Sequence, residues 1–246
     1  MADTKEYKYE LSLEGKINET NPDTSILNII DSKTSIAIGS KNSNICLNGV
    51  KFFRKIYEPG LIEAEVSISR INKKDTLPSM GEIKNLFIKR QAKLTITPTD
   101  TKVKETIAKN YFVYMVNPVL TSNNGASEYF VKLTIHSIDK LMAINKYSKA
   151  YVSRKLATDI LKTESKAFGL KDGQVVADVK NLRNLVYKNN DQVNLEKIQP
   201  YLVQYNETFY DFMVRTANRC GEFLYFDDGQ LTIGLPGSTQ ATKIGG

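Results

Sequence analysis

The sequence is poor in the residues from which most catalytic and metal centres are built. Its 246 residues include one histidine, two cysteines and no tryptophan. A single histidine is too few for a cluster of histidine metal ligands, and it excludes several histidine-based catalytic devices. That residue, His136, lies in VKLTIHSID, where Val131, Leu133 and Ile135 face away from it. We therefore expect an exposed strand histidine rather than a metal ligand or a base.

The two cysteines, Cys46 and Cys220, are far apart and lie outside any C-x-x-C spacing. They indicate neither a disulfide framework nor a zinc site, and we expect two buried, reduced thiols. The sequence also lacks the glycine-rich phosphate-binding loops and the G-x-S-x-G nucleophile elbow. Asp227 and Asp228 stand beside Gly229 in a predicted tight turn, where aspartate is common for backbone reasons. A glycosidase role for this pair is the weaker alternative, so we predict that the protein is not an enzyme and holds no metal or cofactor.

No apolar run approaches the roughly 20 residues that span a bilayer, and MADTKEYKYE lacks the apolar core of a signal peptide. We therefore expect a cytoplasmic protein without a membrane-spanning segment. The net charge of +7 raises the possibility of a nucleic-acid partner. Residues 140–158 hold five basic residues and no acid, with Tyr147 and Tyr151 among them, but no nucleic-acid-binding signature accompanies them. We expect a solvated face or a protein-partner surface there, and no nucleic acid.

The first 140 residues alternate between apolar and polar side chains in several runs, which is typical of half-buried strands. The clearest run is 62–69, and others lie at 7–13, 91–97, 111–116 and 129–138. Ser79 followed by Glu82 predicts a capped helix of two to three turns. A closed or nearly closed antiparallel barrel fits this pattern better than an α/β sheet.

Three turns are predicted within this first domain, residues 1–140. Asn48-Gly49 is the strongest hairpin signal of the chain. Pro59-Gly60 predicts a second turn, and the polar tip TSNNGAS predicts an exposed loop between the last two strands.

The character changes in the second domain, residues 141–246, which we expect to be a mixed helix and strand region. Ser153 is the predicted cap of a helix that ends at Gly169. Residues 174–186 fit either a strand or a helix. The stretch 199–236 predicts a short strand at 201–204, then a helix, then a hairpin with a three-residue turn.

The predicted helix of this stretch has ends that are marked in the sequence. Thr208 and Asp211 fit a capping box, with Asn206 as an alternative cap. Gly221 stands where a left-handed residue ends a helix. Arg215 and Glu207, eight residues apart on this helix, are expected to help fix the helix ends rather than to bind a ligand.

The order of features from Tyr201 to Phe226 resembles the hub portion of VgrG spike proteins of type VI secretion systems and of related contractile-phage tail hubs. The family pattern is a strand ending in Gln-Tyr, then Glu and Ser or Thr, then Phe, Arg and Gly along a helix, then an aromatic strand. Its matching positions are Gln204, Tyr205, Glu207, Thr208, Phe212, Arg215, Gly221, Tyr225 and Phe226. The fold class implied is β-rich α+β, with an antiparallel barrel of the phage tail-hub type followed by a mixed helix and strand region containing part of a second barrel.

The resemblance also implies a function and a set of partners. Three copies would form a ring of barrels that adapts a hexameric Hcp-like tube to a piercing tip, beside baseplate components. The tip-forming parts would lie beyond residue 246, so that the sequence is expected to be truncated on its C-terminal side. The protein would be cytoplasmic before assembly and then part of a secreted spike. The alternative is the hub of a phage tail or of another contractile particle.

Overall fold

A computed structural model of the chain describes residues 7–16, 36–38, 45–68, 78–100, 102–123, 126–151, 157–178, 202–219 and 221–234. Two compact units divide the chain. The first comprises Leu61–Ser137 together with the chain up to Phe53, and the second comprises Arg54–Gly60 together with most of the chain from Ile138 onward. A short hairpin tip from the N-terminal half therefore belongs to the second unit.

The first unit is built on a seven-stranded antiparallel sheet with the order β2-β1-β5-β6-β7-β4-β3. The strands are β1 (Tyr7–Lys16), β2 (Ile36–Ile38), β3 (Ile45–Lys55), β4 (Glu58–Ile68), β5 (Arg90–Pro98), β6 (Glu105–Asn123) and β7 (Ala126–Ser137). The sheet is a curled half-barrel, with β2 and β3 at its two ends in the part of the chain that the structure describes. The expected β-rich fold with an antiparallel tail-hub sheet is confirmed, although the described strands do not close into a barrel.

Alternation along the strands determines which face of the sheet is buried. In β4 the buried set is Ile62, Ala64 and Val66, whereas Glu63 and Glu65 are exposed. Opposite them in β7, the residues Ile135, Leu133 and Val131 are also buried and pair with Ile62, Ala64 and Val66 in register. Cross-strand pairs of this kind are the unit from which a sheet draws its stability. The single histidine lies on the other face, as predicted, but it is half-buried rather than exposed, with its ring edge-on to Tyr114 at 5.4 Å between ring centroids.

The helix α1 (Met80–Phe87) begins as its sequence signature predicts. The Ser79 side chain accepts a hydrogen bond from the Glu82 backbone N–H at 3.3 Å. In return the Glu82 carboxylate accepts from the Ser79 backbone N–H at 2.6 Å. Both bonds of a capping box are therefore present. The helix buries Ile83 and Phe87.

Two of the three predicted turns of the first domain are wrong. Asn48-Gly49 lies inside β3, and Pro59-Gly60 lies inside β4. The chain instead reverses at Ile56 and Tyr57, where Tyr57 adopts a left-handed conformation with φ 65°. This turn is selected by contacts with distant residues, which a local turn signal cannot report.

The loop predicted from TSNNGAS is also shorter than expected. Thr121 pairs with Glu128 and Asn123 with Ala126, so that strand pairing continues almost to the tip. Cys46, expected to be buried, is a half-buried residue of β3 and forms no disulfide. The side chain of Cys220 lies outside the described residues.

Within the described ranges, the part of the second unit from Ile138 onward contains five strands and several short helices. In chain order they are a 3-10 helix (Ile138–Ala143), β8 (Lys146–Tyr151), α2 (Ala157–Ser165), a 3-10 turn (Lys166–Phe168), β9 (Val175–Asp178), β10 (Leu202–Thr208), α3 (Phe209–Arg219), β11 (Phe223–Asp227) and β12 (Gln230–Gly234). Strands β8 and β10 form an antiparallel ribbon. Strands β11, β12 and β9 form a three-stranded sheet in which β9 is parallel to β12.

These elements test several of the predictions for the second domain. The start of the ambiguous stretch 174–186 is a strand, whereas residues 179–186 and the predicted cap Ser153 lie outside the described residues. Gly169 ends the helical segment in a left-handed conformation, as predicted. The strand predicted at 201–204 is longer than expected and continues to Thr208.

Candidate functional site

The residues that carry the family resemblance lie on one continuous module of the second unit: β10, α3 and the β11–β12 hairpin. Strand β10 contains a bulge, because its pairing with β8 shifts between Gln204 and Glu207. Within the bulge, Asn206 has φ 46°, and its N–H donates to the Ser148 hydroxyl at 3.1 Å. Asn206 therefore belongs to the strand and is not the helix cap. The neighbouring Tyr205 is 79% exposed.

Gln204 is buried beneath this bulge and connects β10 to β8. Its Nε2 donates to the Glu207 carbonyl at 2.9 Å, which closes the bulge. Its Oε1 accepts a long hydrogen bond of 3.5 Å from the Tyr151 hydroxyl on β8. A buried amide is tolerated only when its polar groups are bonded in this way. Gln204 thus has a structural role that explains why a glutamine suits this position.

Thr208 caps α3 as predicted, although the second bond of the expected capping box is different. Its hydroxyl accepts from the Asp211 N–H at 3.0 Å. The same hydroxyl donates to the Asp211 carboxylate at 2.7 Å. The carboxylate therefore bonds the cap side chain, near the positive end of the helix dipole.

The other end of α3 carries the predicted left-handed glycine. Gly221 has φ 68°, and its N–H donates to the Asn218 carbonyl at 3.1 Å. The next residue, Glu222, donates its N–H to the Ala217 carbonyl at 3.0 Å. This pair of bonds is a Schellman motif, which satisfies the last carbonyl groups of the helix.

The Arg215–Glu207 pair joins the helix to the strand rather than fixing the helix ends. Arg215 donates to both carboxylate oxygens of Glu207, at 2.5 and 3.3 Å, and Glu207 lies on β10. A further guanidinium N–H donates to the Val203 carbonyl at 2.8 Å. The guanidinium also lies 5.4 Å from the Phe212 ring centroid. The expectation that both residues stand on the helix was wrong, because β10 continues to Thr208.

Aromatic rings pack beneath the module in one connected series. Phe212 stacks on Tyr151 at 5.3 Å and contacts Phe209 at 6.0 Å between ring centroids. Phe209 in turn stacks on Phe168 at 5.6 Å. Phe212 and Phe209 are fully buried, so this series is the core of the unit. In β11, Phe226 is buried and Tyr225 is half-buried.

Two buried tyrosine hydroxyls of this region, those of Tyr151 and Tyr210, are held in their neutral form by raised pKa values. Burial, followed by the Glu164 carboxylate, raises the pKa of Tyr151 well above its usual value. Burial, followed by Asp139, Glu58 and Asp211, does the same to the pKa of Tyr210. Phenols with raised pKa values do not serve as bases or nucleophiles near neutral pH.

The hairpin turn differs from its prediction. Asp227 pairs with Gln230, so the turn contains two residues, Asp228 and Gly229, with φ 43° and 79°. Two left-handed residues are the requirement of a tight hairpin turn, and they explain the Asp-Gly sequence. Asp227 accepts a hydrogen bond from the Asp228 N–H at 2.9 Å and pairs with Arg54.

The described residues include no group of three or more His, Cys, Asp or Glu side chains placed to hold a metal ion. Among the described helices, none is long and apolar enough to cross a membrane. The arrangement as a whole consists of packed and hydrogen-bonded elements that hold one another in position. It brings together the predicted Gln204, Glu207, Thr208, Phe212 and Arg215. Tyr151 was noted in the sequence only within the basic stretch 140–158, and the topology brings it into this module from β8.

The fold is of the phage tail-hub type. One such structure is the 43 kDa tail protein of prophage MuSo2 from Shewanella oneidensis, which matches 96% of this chain with a TM-score of 0.52 and 13% identity. Another is a chain of the half-lidded Francisella PdpA-VgrG complex, which matches 93% of this chain with a TM-score of 0.51 and 14% identity. The lidded form of that complex matches 94% with a TM-score of 0.50 and 16% identity.

The chain is much shorter than these proteins. It covers 55% of the prophage tail protein and 31% of the half-lidded Francisella chain. Neither protein-family models nor curated proteins give a match. At these identities the similarity establishes the fold alone.

Proposed function

We propose that this chain is a structural hub of a contractile injection machine, of the VgrG spike type in a type VI secretion system. One observation carries the proposal: more than nine-tenths of the chain matches the fold of both a phage tail protein and a chain of the Francisella PdpA-VgrG complex. The family pattern from Gln204 to Phe226 supports it, because those residues form one packed module rather than a reactive centre.

The proposed partners are two further copies of the chain, an Hcp-like tube protein and baseplate components. A ring of subunits needs large protein surfaces and no catalyst. The chain would be cytoplasmic before assembly and would then become part of the injected spike. In this role it would bind no nucleic acid, and basic residues such as Lys149 and Lys166 would be engaged in ion pairs with Glu164 and Asp172.

The alternative is the same role in a phage tail or another contractile particle. The prophage tail protein of Shewanella oneidensis favours this alternative as strongly as the Francisella complex favours the first. The genes that flank the coding sequence discriminate between them. Genes for a secretion sheath and its effectors support the first role, and capsid genes support the second.

We further propose that the protein has no enzymatic activity. The acidic pair that suggested a glycosidase has structural tasks, because Asp227 bonds Arg54 and the backbone of Asp228. Peptidoglycan turnover by the purified protein, compared with an Asp227→Asn/Asp228→Asn variant, tests this point. Activity that disappears in the variant would contradict the proposal.

The hub role is tested by sedimentation of the full-length protein alone and with the tube protein encoded beside it. We expect a mass of three copies and co-sedimentation with tube rings. A Phe212→Ala variant is the control, because loss of its buried ring should disrupt the second unit and abolish both results. A strictly monomeric protein that ignores the tube would overturn the proposal.

A further inference from the structure

Strand β11 is an end strand, and its outer edge would be open to pairing with another chain if nothing covered it. In the part of the chain that the structure describes, it pairs with β12 on one side only. Its residues Phe223–Phe226 have the sequence FLYF, without a charge or a proline. Uncharged aromatic segments on a sheet edge readily pair with other chains. Such an edge therefore needs protection.

The tip of the β3–β4 hairpin, which belongs to the same unit, lies against this edge. The Tyr57 N–H donates to the Leu224 carbonyl at 3.0 Å. Because the register pairs Asp227 with Gln230 across a two-residue turn, alternate residues such as Leu224 direct their carbonyls away from β12. The bond therefore occupies the outer edge of β11.

Two side-chain contacts hold the tip in place. The Tyr57 ring lies 5.7 Å from the Phe223 ring, between centroids. Arg54 pairs with Asp227 at the opposite end of the strand. The two contacts therefore lie at the two ends of β11, so that the tip follows the strand instead of touching it at one point.

The backbone of the tip supports a specific role. Tyr57 has φ 65°, a conformation that bulky residues rarely adopt. The sequence offers glycine or asparagine at two other places in this hairpin, yet the chain reverses at a tyrosine. A strained residue persists where surrounding contacts require it. Tyr57 contacts Phe223 and Leu224 of β11, and its hydroxyl donates a long hydrogen bond of 3.5 Å to the carbonyl of Glu222, just before that strand.

We propose that the hairpin tip is a built-in cover for the β11 edge, which prevents β11 from pairing with β11 of a second copy. This role goes beyond the hub function and does not depend on it. It explains why an N-terminal segment is part of the second unit. It also explains the choice of a strained tyrosine at the turn.

The test is an Arg54→Ala/Tyr57→Gly variant of the full chain. Glycine suits the left-handed turn, so the hairpin itself is spared while the ring contact and the ion pair are lost. We expect concentration-dependent species larger than those of the wild type, by light scattering. We also expect amide exchange in Phe223–Asp227 to accelerate about tenfold or more.

Three further variants keep the test decisive. Lys55→Ala removes only the ion pair with Glu58 within the tip and should behave as wild type. Adding Tyr225→Lys to the double variant should suppress the larger species, because a charge on an edge strand opposes pairing. Arg54→Ala alone, at an exposed position, should give a smaller effect in the same direction. A double variant with wild-type mass and wild-type exchange would overturn the proposal, and so would larger species that Tyr225→Lys leaves unchanged.

Discussion

In the first unit the buried residues are almost all apolar, whereas the second unit buries a set of polar groups between its elements. Among the described residues, the buried polar or charged residues of the first unit are Ser67, Arg90 and Ser137. Those of the second unit are Asp139, Ser165, Gln204, Thr208, Thr216, Glu222 and Thr232. A wide sheet satisfies its backbone through its own ladder, but short strands and helices joined by bulges and caps need side chains to complete their bonding.

This difference suggests that the two units depend on different interactions. The stability of the first unit should depend mainly on buried apolar volume. The stability of the second unit should depend on buried apolar volume and also on single hydrogen bonds and special backbone conformations. The following variants compare matched positions in the two units.

The largest effects should come from the two fully buried phenylalanines, Phe212 in α3 and Phe87 in α1. Replacing either with alanine should cost about 3–5 kcal/mol of unfolding free energy. Hydrogen exchange should then show loss of protection mainly in the unit that carries the change. Equal loss of protection in both units would mean that the chain unfolds as one cooperative body.

Backbone conformation should matter more in the second unit. Gly221→Ala should lower the free energy of unfolding by about 1–2 kcal/mol. At φ 68° the added Cβ atom lies too close to a carbonyl oxygen of the adjoining backbone. Gly49→Ala is the matched control, since Gly49 lies in β3 with open space around it. It should leave stability unchanged or raise it slightly, by reducing the freedom of the unfolded chain. Urea denaturation measures both, and equal losses would refute the comparison.

The N-terminal caps of α3 and α1 provide a third pair of matched variants. Thr208→Ala and Ser79→Ala should each lower stability by about 1 kcal/mol. The loss should be larger for Thr208, which is buried, so that water cannot replace its bond to the Asp211 N–H. Thermal unfolding of the two variants decides the order. A larger loss for the exposed Ser79 would contradict it.

Ion pairs should give smaller effects. Glu207→Gln weakens the ion pair with Arg215, whose guanidinium also contacts Phe212. We expect the free energy of unfolding to fall by less than about 1 kcal/mol, and the loss to shrink as salt is added. The matched variant in the first unit is Glu65→Gln, whose pair with Lys132 is exposed and 3.6 Å long. Its effect should be close to zero in chemical denaturation. If Glu65→Gln lowered the free energy of unfolding as much as Glu207→Gln does, the additional contacts of Arg215 would contribute no stability.

The smallest effect should be a pH dependence confined to α1. The backbone N–H of Ser79, followed by its hydroxyl, lowers the pKa of the Glu82 carboxyl. A lowered pKa in the folded state stabilises the protein above the unfolded value of about 4.3, and this contribution disappears as the pH falls through the lowered folded value. Glu82→Gln should therefore reduce the melting temperature slightly at neutral pH and hardly at all at the acid end. A difference that grows on acidification would contradict this assignment.

Much of the first unit was predictable, because its strands follow local alternation. Val131, Leu133 and Ile135 are buried as their spacing predicts, and the Ser79 and Glu82 signature marks the start of α1. The hairpin turn was not predictable. Asn48-Gly49 is the stronger local signal, but the contacts of Tyr57 with residues more than 160 positions away select the actual turn.

The candidate module shows the same division between local and distant causes. Thr208 and Gly221 bracket α3 as predicted, because caps depend on neighbouring residues. The bulge at Asn206 and the stacking of Tyr151 on Phe212 depend on β8, which is distant in sequence. The parallel pairing of β9 with β12 likewise has no signature in either strand.

The most direct test of the hub proposal is the position of the protein in an assembled particle. Contractile particles purified from cells that encode the chain can be imaged by electron microscopy after an antibody or a small tag marks the protein. We predict a single density at one end of the tube, with threefold symmetry. Particles that lack the protein, or that carry it along the whole tube, would contradict the account.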